Sequence, residues 1–337
     1  MYSAEPSLDR RVCVAPMMDY TDRHCRYFLR LLSPSVLLYT EMITAKALAH
    51  GDVERLLRFN VAEQPVALQL GGSEPAELAA AAKLGEQWGY REINLNCGCP
   101  SDRVKSGRFG ACLMGEAERV RDCIAAMRAE VSVPVTVKCR IGIEPGMDEL
   151  SDEIFLQRFI ATVAESGCKV FIIHARRAVL NGLSPKQNRE IPPLRYDVAA
   201  HMCAQFPELT FVINGGICTS AEVQAHLHQF AGVMIGREAY HNPFLLAELH
   251  GQLNHQSMDT LPDRTAIVRS FASYVDRECS GQERPSNMIR HILGLYNGLP
   301  GARSWRRYLS ENANRAVLPS LLLHESLRIV DPATTRL

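Results

Sequence analysis

Side chains able to do chemistry crowd into one short segment, Asn94-Leu95-Asn96-Cys97-Gly98-Cys99-Pro100. A thiol in a loop rich in glycine and proline can act as proton donor or nucleophile, and Cys97 competes with Cys99 for that part. Lys138 ends an apolar run, PVTVK. An amine placed there could form a Schiff base, hold positive charge against an anionic cofactor ring, or simply be ion-paired. Gln69 and His174 end two further apolar runs and suit hydrogen bonds to a heterocycle or phosphate, although a lone histidine is as readily structural. Asn214-Gly215-Gly216 and Gly236-Arg237 each lead into a helix-like segment. Glycine lets the backbone approach an anion, and helix N-termini aim N–H groups at it; the plainer alternative is a pair of tight turns. Pro16-Met17-Met18-Asp19, Thr40-Glu41 and Arg140 complete the set, and the basic segment Arg103–Gly110 reads as a lid or a substrate phosphate contact.

All of these residues fall at the ends of short apolar runs. Such runs lie near 12–15, 36–40, 65–70, 92–96, 134–138, 169–173, 210–213 and 232–235. Their character suits parallel strands covered on both faces. Helix-like stretches separate them, most clearly at 74–88, 115–130, 151–166 and 219–229, with helix starts at Ser73/Pro75 and at Thr219-Ser220/Glu222. Eight strand–helix units in about 240 residues match a (β/α)8 TIM barrel, whose site lies at the C-terminal strand ends. A doubly wound sheet is the alternative, but no glycine-rich dinucleotide fingerprint follows the first run. Strand signals stop near residue 255. Segments 262–279, 285–297, 301–312 and 316–329 read as helices, so the expected division is a barrel over 1–250 and a helical-bundle domain over 251–337, joined by a linker at 251–262.

Composition excludes several classes. Of 337 residues, 47% are hydrophobic and 22% charged, ordinary for a globular protein and against long disorder. No apolar run is long enough to cross a membrane, and the N-terminus carries no secretory leader, so a cytoplasmic protein is expected. The eleven cysteines form no CxxC pair, so no metal site is expected. Net charge is +0, yet residues 251–337 carry eleven Arg, no Lys and eight acidic residues. Guanidinium forks suit bidentate contacts to phosphates.

The segments APMMDYTDRHCRYFLR (15–30), LYTEM (38–42), ALQLGG (67–72), EINLNCGCPSDRVKSGRFGACLM (92–114), VKCRIG (137–142), IIHAR (172–176), INGGI (213–217) and GREAY (236–240) resemble the tRNA-dihydrouridine synthases. LSPKQNREIPPL (183–194) and LPGARSWRRYLSEN (299–312) resemble the A-type bacterial subfamily. The resemblance spans nearly the whole chain. It implies an FMN-bound barrel with a C-terminal helical domain. It also implies NADPH-driven reduction of uridine to 5,6-dihydrouridine in the tRNA D-loop, at U20 and U20a. Matched motif by motif, it implies FMN contacts at Pro16, Met17, Met18, Gln69, Lys138 and His174, with the phosphate held by Asn214, Gly215, Gly216, Gly236 and Arg237. The catalytic acid would be Cys99. Contacts to tRNA would fall on Asn96, Lys186, Arg189, Arg303 and Arg306, the last two within the Arg303–Arg307 cluster. Cys97 stands where a small apolar residue such as Val is expected, and Cys139 where Thr is expected. A monomer is expected. The competing readings are a flavoenzyme acting on a small free pyrimidine, a Schiff-base aldolase using Lys138, and a non-catalytic RNA-binding protein.

Overall fold

Each of the eight apolar runs becomes a parallel strand. In the computed structural model they are β1 (Val12–Val14), β2 (Leu37–Thr44), β3 (Val66–Gly71), β4 (Glu92–Cys97), β5 (Val135–Arg140), β7 (Val170–His174), β9 (Thr210–Asn214) and β10 (Gly232–Ile235). They hydrogen-bond in the order β1-β10-β9-β7-β5-β4-β3-β2 and close on themselves. Two strands the sequence reading lacks, β6 (Ile143–Glu144) and β8 (Ala178–Val179), form a separate parallel pair. The structure describes residues 8–101, 107, 109–144, 151–255, 261–279, 283–314 and 318–330.

Alternation along a strand sends every second side chain into the barrel. From β1, β2, β7, β9 and β10 these are apolar or aromatic: Cys13, Ala15, Leu37, Tyr39, Val170, Ile172, Val212 and Met234 pack as one cluster with Ala67 of β3. From β3, β4 and β5 they are mostly polar: Gln69, Glu92, Asn94, Asn96 and Thr136 are all buried. The barrel interior is therefore apolar on one side and hydrogen-bonded on the other.

The helices between strands follow local signals. Pro75 opens helix Pro75–Gln87, but Ser73 does not cap it; the cap position is Glu74, with no side-chain bond. Thr219 caps helix Ser220–Leu227 and Glu222 bonds back, a complete capping box.

Contacts divide the chain into two compact units. One comprises Met1–Met18, Leu37–Phe59 and Gln64–Gly236; the other comprises Asp19–Val36, Asn60–Glu63 and Arg237–Leu337. The division is thus interleaved in sequence, where a single cut at residue 250 was expected. Inside the second unit, helix Arg23–Leu32 is tied in by polar groups. Asp22 caps it and also meets Arg290 and His291, while His24 is bonded to Tyr274 at 2.7 Å. Helices Arg264–Cys279, Ala302–Asn312 and Pro319–Val330 match the expected segments closely. The expected helix 285–297 stops at Ile289 and continues as turns. Gly294 sits there against the carbonyls of Tyr240 and His241, an approach that excludes a side chain. The expected linker is also shorter, because helix Leu245–Leu253 runs into it; residues 256–260 lie outside those described.

One buried ion pair in this unit sets a test. Arg26 Nε donates to Glu63 Oε2 at 2.8 Å, and the two side chains are 5% and 0% exposed. Removing one partner leaves an uncompensated buried charge. Glu63→Ala is expected to lower unfolding free energy by about 3 kcal/mol in urea denaturation. A loss below about 1 kcal/mol would show that water reaches Arg26.

Candidate active site

The C-terminal rim of the barrel gathers Gln69, Asn96, Lys138, His174 and Asn214 from five strands. Register places them together: Lys138 is opposite Asn96 across β4–β5, and His174 is opposite Asn214 across β7–β9. Lys138 Nζ donates to Asn214 Oδ1 at 3.0 Å, and Asn214 Nδ2 donates to the Met234 carbonyl at 2.7 Å. The Asn214 side chain therefore steadies the amine.

Lys138 and His174 are half-buried among fully buried neighbours. Removal from water lowers the Lys138 amine to about 8, and nearby Arg140 pushes the same way. Burial, then Arg140 and Lys138, holds His174 well below its ordinary value, so its ring is neutral at pH 7. Among the described residues Lys138 bonds to an amide oxygen and Arg140 to main-chain carbonyls, not to carboxylates. Such a rim favours an anionic or acceptor-rich ligand.

Cys99 is half-buried in the loop after β4. Asn96 Oδ1 accepts from the N–H groups of Gly98 and Cys99 at 3.1 and 3.0 Å, an Asx-type turn that seats the thiol. The Cys99 carbonyl accepts from Ala111 N at 2.9 Å, and its thiol reaches Ser101 Oγ at 3.5 Å. Cys97 is no rival. It is fully buried beside Cys139, and burial pushes its thiol well above the ordinary range. The basic residues Arg103, Lys105 and Arg108, read as a lid, lie outside the described residues.

The glycine loops differ from one another. Gly215 and Gly216 have φ of 120° and 69°, and a Cβ on them would strike His174 and Leu194 at 2.7 and 2.5 Å. Backbone and packing thus account for both. A Cβ on Gly236 would meet nothing within 4 Å, so open space lies in front of that residue. The N-terminus of helix Ser220–Leu227 is partly spent, because Glu222 accepts from the N–H groups of both Cys218 and Thr219. Arg237, exposed, belongs to the second unit. Of the first-strand residues, Met17 is half-buried against the barrel cluster and Met18 is 51% exposed. Asn96 is only 8% exposed, which leaves little of it for a macromolecule to touch.

Lys186 and Arg189 are exposed around the short turn Gln187–Arg189. Within the same basic stretch, Arg177 is paired with Asp152 and Arg195 with Asp197. In the second unit Arg303, Arg306 and Arg307 are exposed on helix Ala302–Asn312, opposite its buried Ala302, Trp305 and Leu309. The sequence reading placed Arg140 at a strand end and gave it no role. It is 3% exposed, with Nε on the Gly98 carbonyl at 2.9 Å and Nη1 on the carbonyls of Arg177 and Asn188 at 2.8 and 3.0 Å. Its spacing of two from Lys138 was the available signal, since both then share a strand face.

The depressed Lys138 amine makes stability depend on pH. The unfolded chain keeps that proton to about pH 10, while the folded chain loses it near about 8. Between those values the unfolded state binds more protons, so stability rises with pH. Urea titrations are expected to show a gain from pH 8 to 10 that Lys138→Met lacks. Parallel curves for the two proteins would refute the burial of a charged amine.

A family model described as dihydrouridine synthase (Dus) matches residues 13–329. An Escherichia coli K12 protein named tRNA-dihydrouridine(20/20a) synthase is 56% identical over 321 residues, covering 95% of this chain and 91% of that one. Proteins of the same name from Vibrio cholerae and Pseudomonas syringae pv. tomato are 55% and 52% identical, covering 90% and 98% of this chain and 92% and 97% of theirs. The closed parallel barrel, the rim residues and these matches together assign the chain to the dihydrouridine synthase family.

Proposed function

We propose that the chain reduces uridine to 5,6-dihydrouridine in the D-loop of tRNA, at positions 20 and 20a, with FMN as cofactor and NADPH as reductant. The observation that carries this reading is the cationic barrel rim, where Lys138 and Arg140 bond to amide and main-chain carbonyl oxygens, beside a seated, half-buried thiol. The relatives named for the reaction support it.

The residues present fit FMN. Lys138, Gln69 and His174 offer donors and a neutral ring to a heterocycle, and open space lies before Gly236. Pro16, Met17 and Met18 would flank the ring, and Asn214, Gly215, Gly216, Gly236 and Arg237 would lie along its phosphate side. FMN, when bound, would supply the hydride that the uracil C6 requires. The chain supplies the rest. Cys99 delivers a proton to C5, as a positioned general acid. The Lys138 ammonium stabilises negative charge on the electron donor, and its bond to Asn214 holds it in place. A uridine inside folded tRNA must be extruded to reach these groups. The nearly buried Asn96 then serves the extruded base, not the outer backbone. Lys186 and Arg189 on one unit and Arg303 and Arg306 on the other take tRNA phosphates.

The test is dihydrouridine mapping. Purified protein and NADPH are incubated with tRNA from a strain lacking this gene, and product at 20 and 20a is expected. Product elsewhere in the D-loop would keep the chemistry and break the assignment of Lys186, Arg189, Arg303 and Arg306. A yellow, NADPH-oxidising protein with no tRNA product would point to a small pyrimidine substrate. Cys99→Ala is expected to keep flavin and NADPH oxidation while uridine reduction falls at least 100-fold, within the usual span for a lost general acid. Full activity in that variant would remove Cys99 from the mechanism. Arg303→Ala and Arg306→Ala are each expected to weaken tRNA binding and reduce the slope of log affinity against log salt by about 1. An unchanged slope in filter binding would exclude the helix as a phosphate contact.

A further inference from the structure

An unbroken line of hydrogen bonds climbs the polar side of the barrel. At the N-terminal end Glu92, fully buried, is paired with Arg10 and accepts from Tyr39 Oη at 2.6 Å and Thr136 Oγ1 at 2.7 Å. Thr136 Oγ1 in turn accepts from Asn94 Nδ2 at 2.9 Å. Asn94 Oδ1 accepts from Gln69 Nε2 at 2.8 Å, and Gln69 Oε1 accepts from Asn96 Nδ2 at 2.8 Å. Asn96 Oδ1 then accepts from Gly98 N and Cys99 N.

The direction of this line is forced from its base. A carboxylate only accepts, so Thr136 must spend its single proton on Glu92. Its oxygen is then left to accept, which requires the amide nitrogen of Asn94 and not its oxygen. Asn94 must offer its oxygen to Gln69, Gln69 its oxygen to Asn96, and Asn96 its oxygen to the Cys99 turn. Barrel interiors are more often filled by branched apolar side chains, and a buried polar chain is tolerated only when every member is satisfied. The order fixes the Gln69 and Asn96 amide nitrogens as donors and their oxygens as acceptors within the line.

We propose that Glu92 and Thr136 are positioning residues: through Asn94 they fix which way the Gln69 and Asn96 carboxamides face, and thereby the seat of Cys99. The proposal rests on the reading of Cys99 as proton donor, but the hydrogen-bond line can be tested without it.

Thr136→Val keeps shape and removes the hydroxyl link; Thr136→Ser keeps the link. Two readouts are compared in the full-length protein: kcat and KM for dihydrouridine formation, and the rate at which iodoacetamide labels Cys99, followed by peptide mass spectrometry. Thr136→Val is expected to lower kcat roughly tenfold, the effect of one broken buried link, with KM for tRNA within about twofold because the phosphate contacts are on the surface. Cys99 labelling is expected to quicken several-fold as its turn loses its fixed acceptor. Thr136→Ser is expected to restore both. Tyr39→Phe, which removes a donor to Glu92 but no link of the line, is expected to leave labelling unchanged. Wild-type kcat and labelling in Thr136→Val would overturn the proposal, as would a Thr136→Ser protein as impaired as Thr136→Val, which would indicate packing alone. Should Thr136→Val not fold, Thr136→Ala makes the same cut. If the wild-type protein forms no dihydrouridine, the functional reading falls, while the labelling comparison still decides the role of Thr136.

Discussion

A closed barrel of parallel strands leaves the polar side chains inside it few partners beyond one another and nearby main-chain groups. The rim chemistry follows from how this chain meets that constraint. Its polar interior groups lie side by side on three adjacent strands, so each finds a neighbour at hydrogen-bond distance. Below the rim the remaining strands fill the barrel with mainly apolar side chains, Tyr39 turning its hydroxyl to Glu92. Scattering the same groups around the barrel would strand them. Adjacency in register is therefore what permits a carboxylate at one end and an ordered thiol at the other.

At the rim the balance is electrostatic. Lys138 and Arg140 approach each other, and both bond to neutral oxygens of amides and carbonyls. Burial with a like charge nearby weakens the hold of each on its proton. The same cost keeps His174 neutral. A negative ligand offsets the charge of the two cations, while the neutral His174 ring can hydrogen-bond to it. Resting strain of this kind is how a site favours charge that develops during reaction over charge already present.

Much of this was legible in residue types. Eight apolar runs foretold eight strands, and the polar residues that end them foretold the rim. Thr219 and Glu222 showed their helix start because capping is local. What the sequence withheld depends on distant partners. Helix 285–297 was misread because Gly294 answers to carbonyls some fifty residues earlier. Helix Arg23–Leu32 belongs with the second unit because Asp22 meets Arg290 and His291. Glu92 and Thr136 sit inside apolar strands, where a polar residue looks like an exception until register shows its neighbour. Cys97 and Cys99 look equivalent in sequence, yet β4 ends at Cys97, which is buried beside Cys139, while Cys99 lies half-open in the loop beyond.

Arg140 joins β5 to two distant parts of the chain, the loop at Gly98 and the segment holding Arg177 and Asn188, and does so through main-chain carbonyls. Carbonyls do not titrate and every residue type carries one. The tie therefore holds in acid, where an ion pair of the same reach would loosen. Side chains of the segment add to it: Arg177 pairs with Asp152, and the buried Asn188 carboxamide bonds the backbone of Val179, Leu183 and Ser184. A lysine could not take over, since a single ammonium lacks the planar fork that reaches separate acceptors. The segment around Lys186 is thus held from its buried groups, and the exposed Lys186 side chain can diverge with whatever it recognises.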